Sequence, residues 1–167
     1  MTTIKKTGIG ILVVFTLLIL FAFWYKWQYS MDKAESFEVN SSELPNKVLI
    51  ASQGSDFKMN LVSSIIDNLR DKEVYLKVID VTDLKNVDED SWNAIVIIHT
   101  WEYNQPQKDA SKFIDGAEEP EKLIIIGTSG SGDLRIKGID GMSSASMMRD
   151  VDSTTEYVLS KIEEKLE

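Results

Sequence analysis

The chain opens on an uncharged run, Thr7 to Tyr25 (TGIGILVVFTLLILFAFWY). A helix rises about 1.5 Å per residue, so about 20 such residues match the ~30 Å hydrocarbon core of a bilayer. Trp24, Tyr25 and Trp27 gather at one end of the run, where amphipathic rings favour the headgroup layer, and Lys26 sits among them. A cleaved secretory signal calls for small residues in an Ala-x-Ala-like pattern after the apolar run. Phe-Trp-Tyr-Lys-Trp-Gln-Tyr follows instead, and there is no cysteine for lipoprotein-type acylation. Residues 1–27 are therefore read as an uncleaved single-pass anchor in the cell membrane. Lys5 and Lys6 before the span nearly balance Lys26 and Lys33 after it, and the lean is toward an inner N-terminus and an extracytoplasmic domain.

Residues 28–46 (QYSMDKAESFEVNSSELPN) are polar, without sustained periodicity, and suit a linker. From Lys47 the pattern changes. Val48-Leu49-Ile50-Ala51 is a short apolar run closed by Ser52-Gln53-Gly54-Ser55, after which Phe57, Leu61, Ile65 and Leu69 recur every four residues beside Val62 and Ile66. This predicts a buried strand, a turn and an amphipathic helix with Asp56 as its N-cap. Further strands are expected over Glu73–Val78, Ala94–Ile98 and Leu123–Ile126, and a short fifth near Ile136–Ile139. Helices are expected from about Gln107 to Ile114 and from Ser153 to Leu166, where Tyr157, Val158, Ile162 and Leu166 form one stripe. Strands apolar on both faces, alternating with helices, indicate a parallel sheet covered on both sides. In such sheets ligands sit outside the carboxyl ends of the strands, which singles out Ser52–Asp56, His99–Gln107, and Thr128–Asp133 together with the stretch downstream of it.

The 140 residues after the anchor suffice for one domain, 47–167. They carry all 27 acidic residues and 15 of the 18 basic ones, a net charge of −12. That balance argues against nucleic acid and against peripheral docking on anionic lipid, and leaves a solvated acidic surface or docking to a basic redox partner. The lack of cysteine removes disulfides, thiolate catalysis and sulfur-ligated metals, and the single histidine, His99, makes no zinc site.

Over about Lys47 to Leu166 the sequence resembles flavodoxin. Its third-strand element, Ile98-His99-Thr100-Trp101-Glu102-Tyr103, is similar to the flavodoxin loop whose aromatic residue stacks on the isoalloxazine. The resemblance implies a three-layer α/β sandwich with a five-stranded parallel sheet in the order 2-1-3-4-5, and FMN held by Ser52, Gly54 and Ser55 of a phosphate loop, by Thr100, Trp101 and Tyr103, and by Thr128, Ser129 and Gly130. Two readings of Trp101 stay open: stacking on a flavin, or closing one edge of the core. Phe57 stands where flavodoxins carry a later threonine, and Asp56 would repel a phosphate, which argues against ordinary tight noncovalent binding.

Downstream, Asp140-Gly141-Met142-Ser143-Ser144-Ala145-Ser146 is similar to the Asp-x-x-(Ser/Thr)-Gly-Ala-Thr motif of extracytoplasmic FMN-binding domains, in which FMN is linked through its phosphate to the final threonine. That resemblance makes Ser146 a candidate covalent acceptor and Asp140 the acidic motif residue, although Ser144 replaces the motif's glycine. The alternative is a turn at Gly141 with Ser143–Ser146 starting a helix. His99 is either a proton shuttle or flavin hydrogen-bond donor, or a residue bonding a neighbouring loop. The leading expectation is a membrane-anchored flavin-binding electron-transfer module. The rival is a cofactor-free interaction domain or accessory subunit of a membrane complex, and a flavin reductase is a third reading without a marked substrate site.

Overall fold

The computed structural model describes residues 3–29, 32–102, 105–130, 132 and 139–167, in two compact units, 1–31 and 32–167. The first unit is one helix, α1 (Thr3–Tyr29), whose stretch Gly8–Tyr25 is long and apolar enough to cross a membrane. Phe21 packs its ring against Trp24 and Tyr25 one turn on, with centroids 5.7 and 6.1 Å apart.

The second unit is built on a mixed sheet with helices on both faces. Five strands run parallel: β3 (Asn46–Gly54), β4 (Val74–Asp80), β5 (Ala94–Glu102), β7 (Leu123–Thr128) and β8 (Asp140–Ser144). Their spatial order is β4-β3-β5-β7-β8, the 2-1-3-4-5 arrangement of flavodoxin-like sheets. Three short antiparallel strands enlarge the sheet to eight: β1 (Asp32–Lys33) on β3, β2 (Phe37–Val39) on β4, and β6 (Gln105–Pro106) on β5. The five parallel strands are thus part of a larger sheet, with β2 outside β4 at one edge and β8 forming the other. The stretch expected as a linker, 28–46, is corrected as well, because Asp32–Lys33 and Phe37–Val39 within it pair with the domain. An open strand edge is a row of unmet N–H and C=O groups, and β2 covers that of β4, helped by a 2.9 Å ion pair between Glu38 and Lys77.

Side chains alternate across each strand, so the sheet divides the core in two. Val48, Ile50, Val96, Ile98, Ile124 and Ile126 meet α2 (Asp56–Leu69) and α4 (Val151–Leu166) on one face. Leu49, Ala51, Ile95, Ile97 and Ile125 meet α3 (Lys108–Gly116) and the 3₁₀ segment Val81–Asn86 on the other. The fifth parallel strand lies over Asp140–Ser144 instead of Ile136–Ile139; residues 133–138 fall outside the described ones. No apolar run marks β8, because it is a half-exposed edge. It approaches β7 so closely that a Cβ on Gly141 would stand 2.7 Å from the Ile125 carbonyl oxygen.

Candidate functional site

The apolar runs end at Ala51, Ile98 and Ile126, but β3, β5 and β7 continue through polar residues to Gly54, Glu102 and Thr128. Ser52, Gln53, His99 and Thr128 are buried in consequence, with Lys58 of α2 beside them. Buried polar groups need partners, and those here form a connected set at the carboxyl ends of the strands.

On the α2 face, the Lys58 ammonium donates to Thr100 Oγ1 at 2.7 Å and to Ser55 Oγ at 3.5 Å. The Thr100 and Thr128 hydroxyls lie 3.1 Å apart, and Thr128 Oγ1 also donates to the His99 carbonyl at 3.3 Å. Gln53 Oε1 accepts from the Thr100 N–H at 2.7 Å, locking the end of β3 to β5. Ser55, not Asp56, is the N-cap of α2; its hydroxyl accepts from the Lys58 N–H, and Asp56 is the first helical residue. Extended backbone at Ser55 and its compact hydroxyl suit the cap, while Asp56 keeps a carboxylate in the first turn, where the helix dipole favours it.

The position expected for a phosphate loop is closed. A single residue, Ser55, separates β3 from α2, and Gln53 and Gly54 are paired with Lys33 and Asp32 of β1. A Cβ on Gly54 would stand 2.5 Å from the Asp32 carbonyl oxygen, so glycine here admits β1 and not a ligand. Ala34 anchors the covering segment by donating its N–H to Asp80 Oδ2 at 2.9 Å. The Ser52 hydroxyl is spent on the Gln53 carbonyl at 3.0 Å. A phosphate dianion needs converging N–H groups, and of those after β3 the Lys58 and Met59 N–H groups are taken by the Ser55 hydroxyl and the Ser55 carbonyl. The residues present do not fit the phosphate of FMN.

On the α3 face three polar atoms have no hydrogen-bond partner among the described residues: His99 Nε2, Trp101 Nε1 and Ser143 Oγ. His99 and Trp101 alternate along β5 with ring centroids 5.8 Å apart. His99 and Ser143 stand in register with Gly127, one on each side. His99 Nδ1 lies 3.1 Å from the Thr100 carbonyl, which can only accept, so Nδ1 carries the proton and Nε2 offers a lone pair. Burial, reinforced by the nearby Lys58 charge, holds the ring's pKa below the usual histidine value despite the opposing backbone hydrogen bond. Trp101 is half-buried and belongs to a hairpin, paired with Pro106; Tyr103 lies outside the described residues.

The loop after β7 folds back on the end of β8. Ser129 donates its N–H to the Ser144 carbonyl at 3.1 Å, and Gly132, at φ 73°, donates to Ser129 Oγ at 2.9 Å. Gly130 is exposed beside them. Ser146 is exposed, at φ 59°, with its N–H on Ser144 Oγ at 3.1 Å. Asp140 is not brought to it. That carboxylate starts β8 and is held by Lys165 at 3.0 Å and Lys161 at 3.8 Å, whereas Ser146 lies beyond the strand's other end. The strand from Asp140 to Ser144 alone sets the two ends ~13 Å apart before the chain reaches Ser146. Neither a turn nor a helix forms over 141–146, because β8 occupies the segment to Ser144.

Lys58 and Gln53 were absent from the residues expected at the site. Lys58 lies three positions before Leu61 on the buried stripe of α2, a placement that does betray a buried cation.

No family model matches the chain, and no curated protein matches it. Among solved structures, a flavodoxin from the domain Archaea aligns at 18% identity with a TM-score of 0.49, over 71% of this chain and 98% of that one. A mutant flavo di-iron protein from Thermotoga maritima aligns at 14% identity and a TM-score of 0.44 over 70% of this chain, which spans 35% of that longer protein. A WrbA-like flavodoxin from Agrobacterium tumefaciens aligns at 14% identity and 0.43, over 72% and 96% of the two chains. These structural neighbours are flavodoxin-like proteins, and what they are similar to here is the arrangement of strands and helices.

Proposed function

We propose that this chain is a membrane-tethered flavodoxin-like domain working as an interaction or accessory unit, without FMN gripped at a phosphate loop. One observation carries the reading: β1 lies where the phosphate would be cradled, with the Asp32 carbonyl filling the space beside Gly54. The tether is α1, with the domain on the extracytoplasmic side; resistance of the chain to carbonate extraction, and cleavage of the domain by protease added outside intact cells, test that placement. The test of the cofactor reading is a titration of FMN and riboflavin into the detergent-solubilised full chain, followed by quenching of flavin fluorescence. A colourless preparation with no saturable quenching is expected. A yellow protein holding one flavin per chain would overturn it.

A second reading, a flavin-binding electron-transfer module, is favoured by two features of the same edge. His99 Nε2 and Trp101 Nε1 offer an acceptor and a donor with no partner among the described residues, and Ser146 presents an exposed hydroxyl. Attachment of FMN through its phosphate to Ser146 would bypass the closed loop. Co-expression with an extracytoplasmic flavin transferase then gives a mass increase of one FMN less water, lost in Ser146→Ala and kept in Ser143→Ala. An unmodified mass, under conditions that flavinylate a control protein, removes this reading.

A further inference from the structure

The domain's surface has a hollow of about 510 Å3 away from the strand edge, between α3 and the segment 84–90. Its floor is apolar: Leu84 is buried, and Val87, Phe113 and Ala117 are half-buried and pack on the core beneath. Its rim is acidic. Five carboxylates, Asp88, Glu89, Asp90, Asp109 and Glu118, face two lysines, Lys85 and Lys112, neither of which is ion-paired among the described residues. Glu89 also ties the walls together, accepting the N–H groups of Glu118 and Glu119 at 3.1 and 3.0 Å. Nearby, the Lys122 ammonium is held above its ordinary range by its hydrogen bond to Glu119, with the charges of Glu119, Asp90 and Glu89 adding to the effect.

We propose that this groove docks a basic segment of a partner protein that inserts one large apolar side chain between Phe113 and Val87. The inference rests on the reading of the domain as an interaction unit and names the chemistry of its partner. Charge complementarity selects a cationic occupant, and the apolar floor selects one with a hydrophobic anchor. The length of the rim selects a peptide over a small cation. Asp109 lies in the first turn of α3 and Glu118 follows its last turn, and the seven steps from Asp109 to Gly116 at about 1.5 Å each already span roughly 10 Å, beyond the reach of a single ammonium group.

The experiment titrates the full chain in detergent, with ¹⁵N labelling, against a lysine octapeptide and the same peptide carrying a central tryptophan. The tryptophan peptide is expected to bind at least tenfold tighter, with amide shifts concentrated at Val87, Phe113 and Ala117. The variant Asp88→Lys/Asp90→Lys/Glu118→Lys, and separately Phe113→Ser, should each weaken it at least tenfold. The control Asp71→Lys/Asp152→Lys/Glu156→Lys, which changes as many exposed charges on other faces, should leave affinity within twofold. No binding, equal affinities for the two peptides, shifts spread over the surface, or equal loss in the control each overturn the groove. Specific shifts at another site would overturn the groove while sparing the interaction reading, and one bound flavin per chain would overturn that reading separately.

Discussion

Replacing Gly54 by alanine tests the closure of the phosphate position directly. The new methyl would meet the Asp32 carbonyl oxygen at 2.5 Å and its carbon at 2.8 Å. Ordinary contact needs about 1 Å more, and backbone atoms cannot rotate away as a flexible side chain can. β3 is pinned between β4 and β5, so the movable partner is β1, held by two register pairs and by the Ala34–Asp80 bond. Losing about two neutral hydrogen bonds at ~0.5–1.5 kcal/mol each and one to a charged acceptor at ~1.5–3 kcal/mol gives roughly 2.5–6 kcal/mol. Replacing glycine returns about 0.4–1 kcal/mol through the unfolded state. Because Thr82 still satisfies Asp80 at 2.6 and 3.0 Å, the low end applies, a net loss of about 1.5–2 kcal/mol, or roughly 5–8 °C in melting temperature for a domain of this size. Hydrogen exchange locates the effect: the amides of residues 32–36 should lose protection, while those of 48–52 keep theirs until global unfolding. An unchanged melting temperature with intact protection at Ala34 would refute the argument that glycine is there to admit β1.

His99 is the only histidine, so its titration is assignable. An unfolded imidazole gains a proton near pH ~6.5, while the buried ring stays neutral to lower pH. The unfolded state therefore binds more protons in that window, and stability should fall as pH drops through it. His99→Gln should flatten that part of the profile, and a folded-state imidazole titrating at or above ~6.5 by NMR would contradict the assignment. The Asp140–Lys165 pair is partly exposed, so a double-mutant cycle with Asp140→Asn and Lys165→Met should give a coupling of about 1 kcal/mol or less; a larger value would make it more than a surface clasp.

Much of the fold was legible because its interior obeys simple periodicity. Val48–Ala51, Ala94–Ile98 and Leu123–Ile126 are too apolar to be anything but buried, and α2 shows its stripe plainly. What was hidden shares a physical cause: elements completed by polar residues whose partners lie far along the chain. Gln53 reads as part of a turn until Thr100 supplies an N–H 47 positions away. β1 and β2, at two and three residues, are shorter than any period that could announce them. β8 reads as Gly/Ser-rich loop because an edge strand need not be apolar. At the site, the motif around Asp140 and Ser146 is contiguous in sequence, but a strand laid through it parts the two residues. Lys58 was the readable exception, a cation on an apolar stripe.

The first folded contact along the chain from α1 is β1, antiparallel to β3 and only two pairs long. Tension arriving along the chain is delivered at Asp32, ahead of every parallel strand. Loaded from its end, so short a ribbon opens like a zip, one pair after another, whereas the interlocked strands behind it would have to slide together. Pulling thus uncovers Gly54 and the start of α2 well before it threatens the core, which makes the short strand a mechanical fuse between α1 and the rest of the domain.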